Sequence, residues 1–255
     1  MVKNCYIVSS AIATKTTVRD ETLDRWLATT HTCDSINARD NADIFILDTG
    51  SARLPEWIHK WWGKNTKFLE WCNEQGVKEK RTEAEVFSEK LSKKYRIGDH
   101  DQEFIKKFIW TAFMKSGTEC WAIRKFLNEN DLSKYDNVFK VSGRYVLNEQ
   151  FDLKNYSGKW TFKEQSLLKD GTRNLSSVMW GFKGKHFEEF KQKWNDTYNF
   201  MMHSWKVNGS VRDLESTIWH GFGETEEDRQ INYTKKLGVM GKVNSLEGDL
   251  KIVNQ

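Results

Sequence analysis

The chain contains one proline in 255 residues and only four cysteines, Cys5, Cys33, Cys72 and Cys120. The cysteines are far apart and form no Cys-x-x-Cys pair, which excludes the usual zinc and thiol-redox spacings and offers no disulfide framework, so they read as reduced thiols. Long apolar runs are missing as well. The N-terminal run Tyr6-Ile7-Val8 stops at Ser9-Ser10, too short for the core of a signal peptide and far short of a membrane span. A cytoplasmic protein without an integral membrane segment is expected. Charge of one sign is not massed either: 40 Lys and Arg are interleaved with 36 Asp and Glu, for a net charge of +4. That excludes the basic stripe or arm from which a nucleic-acid binder draws its affinity, while leaving room for a local basic pocket. Repeats, low-complexity tracts and Pro/Gly-rich linkers are absent, so one domain is expected over residues 1–255, long enough to bury a sizeable core. Tryptophan is in surplus, with twelve residues; these build either a thick aromatic core or exposed ring platforms.

The hydrophobic pattern alternates strands with helices. Residues 5 to 10 read as a brief apolar strand, residues 22 to 36 as a helix, and Asp43 to Gly50 as a strand whose uninterrupted Ile44-Phe45-Ile46-Leu47 run suits burial on both faces. Such an order predicts an α/β fold with a mostly parallel central sheet flanked by helices. Ligands of these sheets bind at the carboxyl ends of strands, a rule that would place Ser9, Ser10, Asp48 and Thr49 on one rim. Between residues 51 and 100 the register is ambiguous. From Asp101 onward, Phe104, Ile105, Phe108, Ile109, Ala112 and Phe113 give an amphipathic helix, for which Asp99-His100-Asp101 serves as a capping cluster or, less economically, a metal site. A short strand over 177–182, a helix over 185–205 stopped by Asn208-Gly209, and a short helix over 211–220 follow.

Two segments carry candidate chemistry. Lys115-Ser116-Gly117-Thr118-Glu119 reads as a turn opening a helix, and a helix start beside a lysine suits an anion; an ordinary capped start is the alternative. After it comes Asn137-Val138-Phe139-Lys140-Val141-Ser142-Gly143-Arg144-Tyr145, where strand alternation puts Lys140, Ser142 and Arg144 on one face. Gly143 would leave the backbone open to a bulky polyanion such as a diphosphate. The competing reading is an edge strand with solvated cations. Asp213 and Glu215 stand in the first turn of the 211–220 helix, where the helix dipole favours them whatever their chemistry, and His220 stands at its far end as a capping residue or a ligand.

In their order, these residues resemble a lineage of glycosyltransferase-like proteins of the GT-A type, known from lipopolysaccharide and capsule synthesis and from large-genome viruses. The resemblance rests on Arg25 ten residues before Ser35-Ile36, a strand ending in Asp48, the Lys115-Ser116-Gly117 segment with Glu119, and the Lys140-x-Ser142-Gly143-Arg144-Tyr145 strand. It is completed by Leu214-Glu215 and the closing Leu237-Gly238-Val239-Met240-Gly241 segment. The resemblance implies a nucleotide-binding half (1–150), an acceptor-side half (151–255), and transfer of a sugar from a nucleotide-sugar to a hydroxyl of a glycan acceptor. By the same resemblance Ser9, Ser10, Arg25 and Asp48 would meet the nucleotide, and Lys115, Gly117, Lys140, Ser142 and Arg144 the diphosphate. Glu215, or failing that Asp213, would be the base. Position 28 is Ala where the lineage tends to carry Gln. No Asp-x-Asp closes the fourth strand, where many GT-A enzymes hold Mg²⁺ or Mn²⁺; Ser142-Gly143-Arg144 stands there instead. A noncatalytic nucleotide- or carbohydrate-binding module with a Trp-rich partner surface at residues 56 to 62, in a viral interaction protein for example, is the alternative.

Overall fold

In the computed structural model, the protein is described over residues 2–13, 22–95, 100–167, 171–223, 231–244 and 250–255. The first half runs β1 (Asn4–Ser10), α1 (Thr22–Asn37), β2 (Asp43–Asp48), α2 (Glu56–Lys60), β3 (Thr66–Glu70), α3 (Gln75–Ser92), α4 (Gln102–Glu129), β4 (Asn137–Ser142) and β5 (Tyr145–Leu147). The second runs β6 (Trp160–Phe162), β7 (Glu164–Leu167), β8 (Arg173–Leu175), β9 (Met179–Lys183), α5 (Phe187–His203), α6 (Leu214–Phe222), β10 (Ile231–Tyr233), β11 (Val239–Asn244) and β12 (Leu250–Asn254).

Seven strands join in the order β10-β6-β9-β4-β1-β2-β3. The four from the first half are parallel, whereas β9 runs antiparallel to both β4 and β6. The expectation of an α/β fold with a mostly parallel sheet is met, and both halves of the chain contribute to the one sheet. Alternation along the strands separates two cores. Cys5 and Ile7 of β1, Phe45 and Leu47 of β2 and Val138 of β4 face the layer formed by α3, α4, α5 and α6. Tyr6, Val8, Ile44, Ile46, Phe139 and Val141 face the opposite layer, with Cys33 and Ile36 of α1. All four cysteines are free and buried, and burial pushes the Cys5 and Cys120 thiols well up, so they are poor nucleophiles.

Two local readings change. Lys115-Ser116-Gly117 is not a helix start, because α4 runs unbroken for 28 residues, about 42 Å at the usual rise. Its cap is Asp101, whose carboxylate accepts the Phe104 amide at 2.7 Å; Asp99 lies outside the described residues. The strand ending in Lys140-Val141-Ser142 does not continue through Tyr145. At Gly143 the chain makes a tight turn, with the Arg144 amide donating to the Ser142 carbonyl at 2.8 Å. β5 then leaves for a second sheet with β11 and β12, its Leu147 amide held by Ser35 Oγ of α1 at 2.9 Å. The ambiguous stretch 51–100 contains α2, β3 and α3, and β3 forms the sheet edge beside β2.

Candidate functional site

The strand order reverses between β1 and β4. From β1 the chain proceeds through α1 to β2 on one side, and β4 enters on the other side from α4. Connections that part in opposite directions leave a crevice at the carboxyl ends of such a pair. A cleft of about 380 Å³ lies there, lined by residues from β1, α1, the middle of α4, the β4 tip and the start of α6.

Each lining side chain has a local reason for its place. Arg25 and Thr29 are four residues apart on α1, and Lys115, Thr118, Glu119 and Ala122 share one face of α4. Lys115 therefore reaches the cleft from mid-helix, without any free helix amides. Ser9 and Ser10 end β1, Ser142 ends β4 in register with Ser9, and the turn at Gly143 carries Arg144 to the mouth. Glu215, in the first turn of α6, also lines the cleft, its Oε1 accepting the Ser177 hydroxyl at 2.5 Å. The structure thus brings Ser9, Ser10, Arg25, Lys115, Ser142, Arg144 and Glu215 to one cleft.

Five expected site residues are placed elsewhere. Lys140 falls on the same face of β4 as Val138, beneath α4, and is 0% exposed. Its ammonium is held by the Glu119 carboxylate and the Ser177 carbonyl, so it meets no ligand directly. Asp48 is also 0% exposed; its two oxygens accept the Ile12 amide at 2.7 Å and the Gly50 amide at 3.2 Å, pinning the loop that follows β1. Gly117 is buried inside α4 against Phe113. Its amide belongs to the helix and offers nothing to an anion. Asp213 caps α6, accepting the Ser216 amide at 2.9 Å and the Ser216 hydroxyl at 2.7 Å, and does not line the cleft. His220 stacks on Phe200 with ring centres 4.0 Å apart and meets Arg212 at 3.1 Å. Among the described residues no group of three or more His, Cys, Asp or Glu side chains is gathered as a metal site would be.

Gly143 lines the cleft and also has a packing duty. A Cβ there would lie 3.0 Å from Thr29 Oγ1 and 3.1 Å from the Ser9 carbonyl oxygen, so the small residue lets β4 close on β1 and α1. Its amide donates to the Ser9 carbonyl at 2.8 Å.

Electrostatically the cleft has a neutralised floor and a cationic mouth. Burial alone would raise the Glu119 carboxyl, but the adjacent Lys140 ammonium outweighs it and, with the Ser9 hydroxyl, holds it below the ordinary carboxylate value. Asp48 has no such cation in contact among the described residues, and burial pushes it up to about 6 despite its two amide donors. At the mouth, the side chains of Arg144 and Lys115 have no hydrogen-bond or ion-pair partner among the described residues.

Sequence reasoning missed Thr29, Ser177 and the pairing of Glu119 with Lys140. Helical spacing from Arg25 and from Lys115 could have found Thr29 and Glu119, each four residues on; nothing around Ser177 marks it. The chain matches no family model and no curated protein.

Proposed function

We propose that the protein transfers a sugar from a nucleoside-diphosphate donor to a hydroxyl of a glycan acceptor. The observation that carries this reading is the cleft at the reversal point of a mostly parallel sheet, lined by the cations Arg25, Lys115 and Arg144 and by the carboxylate of Glu215. The resemblance of the motif order to GT-A glycosyltransferases agrees with that arrangement.

In this reading the acceptor oxygen attacks the anomeric carbon as the bond from that carbon to the diphosphate oxygen breaks. Charge builds on the departing diphosphate, where fixed cations stabilise it in the transition state. Arg144 suits the task because its planar fork matches phosphate oxygens, and Lys115 adds a mobile point charge. Glu215 takes the proton lost by the acceptor hydroxyl. Ser177, donating to Oε1, leaves Oε2 without a hydrogen-bond partner among the described residues and open for that proton. A hard divalent cation such as Mg²⁺ or Mn²⁺ wants several oxygen ligands. The diphosphate end does not suit one, because it presents cations and its nearby carboxylate, Glu119, is bound to Lys140.

The test is turnover of a panel of nucleotide-sugars by the protein and by Glu215→Gln, which keeps the shape and removes the proton acceptor. General-base help is worth about 10² to 10⁴ in rate, so the variant should lose that factor and keep donor affinity. Binding of a nucleotide-sugar with no turnover by the unaltered protein would favour the noncatalytic binding module. That second reading draws on Trp57 and Trp61, 52% and 58% exposed, which stand edge-on to Trp26 as a ready partner surface.

A further inference from the structure

Hydroxyl protons at the end of β1 are fixed by their partners. Ser9 Oγ lies 2.8 Å from Glu119 Oε1, and an ionised carboxylate only accepts. Because Lys140 keeps Glu119 ionised, the single Ser9 proton is committed to it. Thr29 Oγ1 lies 2.9 Å from the Arg25 carbonyl oxygen and 3.2 Å from that of Gly143. Both are acceptors, so the Thr29 proton is spent on them. With the Thr29 proton so placed, Ser10 Oγ, 3.0 Å from Thr29 Oγ1, is the donor of that pair. Both serines line the cleft, and with its proton committed each oxygen keeps only lone pairs to offer a ligand there.

A phosphate oxygen is itself an acceptor, so this rim disfavours phosphate even though serines commonly bind it. The charged donors of the cleft are Arg144 on the β4 tip and Lys115 on α4. A sugar hydroxyl, in contrast, brings a proton that the serine oxygens can accept. We propose that the cleft is divided by hydrogen-bond polarity: the β1 rim, through Ser9 and Ser10, accepts the ribose hydroxyls of a nucleoside diphosphate, and Arg144 and Lys115 hold its diphosphate. This rests on the nucleotide-diphosphate reading above and adds to it selectivity for ribose, in the hands of two named residues.

Calorimetric titration separates the two ends. The probes are ADP, GDP, CDP and UDP, the 2′,3′-dideoxy form of the tightest of them, the nucleotide-sugars of that nucleotide, and inorganic pyrophosphate. The unaltered protein should bind the ribose form at least about fivefold more tightly than the dideoxy form, the scale of one or two net hydrogen bonds. Ser9→Ala and Ser10→Ala should each erase part of that difference and leave pyrophosphate affinity unchanged, while Arg144→Ala should weaken pyrophosphate and both nucleotides alike. Ser10→Ala is the control for folding, since it leaves the Glu119–Lys140 pair untouched. Equal affinity for ribose and dideoxy forms overturns the division, as does a loss of pyrophosphate binding in the serine variants. An effect of those variants on nucleotide-sugars alone would assign the hydroxyls to the transferred sugar and overturn the ribose assignment. If pyrophosphate binds through Arg144 with no dependence on ribose, only the division fails; if neither pyrophosphate nor any nucleotide binds, the nucleotide reading fails with it.

Discussion

Lys140 and Arg144 stand four residues apart in the chain, one under the floor of the cleft and the other at its mouth, and the two regions treat charge in opposite ways. Under the floor Lys140 is matched by Glu119 and the Ser177 carbonyl, whereas Asp48 has only the Ile12 and Gly50 amides and burial pushes it up to about 6. At the mouth, the side chains of Arg144 and Lys115 have no hydrogen-bond or ion-pair partner among the described residues. A buried charge must be matched because its desolvation costs several kcal/mol, whereas a solvated cation can wait for a ligand. Burial, not charge or motif membership, therefore separates the groups that hold the site together from those that would meet a substrate.

Removing one member of the floor should have the largest effect on the molecule. Lys140→Ala leaves Glu119 as an uncompensated carboxylate, a loss of about 3 to 5 kcal/mol for a broken buried pair. Urea denaturation checks it. The double variant Lys140→Met, Glu119→Gln, which removes both charges, should recover most of the stability. A single variant of near-normal stability that no longer binds pyrophosphate would move Lys140 to the mouth and break the comparison.

Asp48 sharpens it through pH. Its folded value is raised to about 6 from an ordinary 3.8, so the folded state holds the proton more tightly than the unfolded state between those values. Stability should consequently fall as pH rises from about 4 to about 6, by roughly 3 kcal/mol on the linkage relation. Glu119, shifted the opposite way, loses its contribution only as pH drops below its ordinary 4.5. Asp48→Asn keeps one acceptor and has no proton to exchange; it should be less stable at pH 4 and flatten the slope. An unchanged slope would show that another group titrates there.

At the mouth the same logic predicts an effect on binding without one on folding. Arg144→Ala should weaken nucleoside-diphosphate affinity by about 1.5 to 3 kcal/mol, the scale of hydrogen bonds to a charged group. Its melting temperature should stay within a degree or two. A large fall in melting temperature with unaltered affinity would make Arg144 a structural residue like Lys140.

The sequence displayed the scaffold better than it did the fate of each charge. The uninterrupted apolar run Ile44-Phe45-Ile46-Leu47 was enough for a strand covered on both faces, and Asn208-Gly209 for the stop after α5, where Gly209 adopts φ 60°. Position on a strand or helix face was legible too, which is why Ser9, Ser10, Arg25, Ser142, Arg144 and Glu215 converge as their elements suggested. Depth was not. Lys140 and Arg144 share a strand phase in the sequence, but α4 covers only the first, and that cover depends on a helix whose course through Lys115-Ser116-Gly117 was misread as a turn. The short strands β6, β7, β8 and β10 escaped notice because runs of three or four residues carry too little periodicity to register.

The smallest and most discriminating effect is expected at Gly117. An anion site at a helix start needs the open backbone of a glycine, and a side chain there would cost affinity. In the structure Gly117 is interior to α4, with its neighbour Ser116 accepting the Leu214 amide at 3.3 Å. A Cβ on Gly117 would meet its nearest neighbour, the Phe113 ring, at 3.5 Å, ordinary van der Waals contact. Gly117→Ala should then gain helix propensity without a clash, stabilising the protein by about 0.5 to 1 kcal/mol. Pyrophosphate affinity should not change, because the lysine that reaches the cleft from this helix, Lys115, keeps its place on the exposed face. A stability gain with intact binding assigns the segment to the scaffold; a loss of binding would return it to the mouth, and with it the helix-start anion site that the unbroken helix replaces.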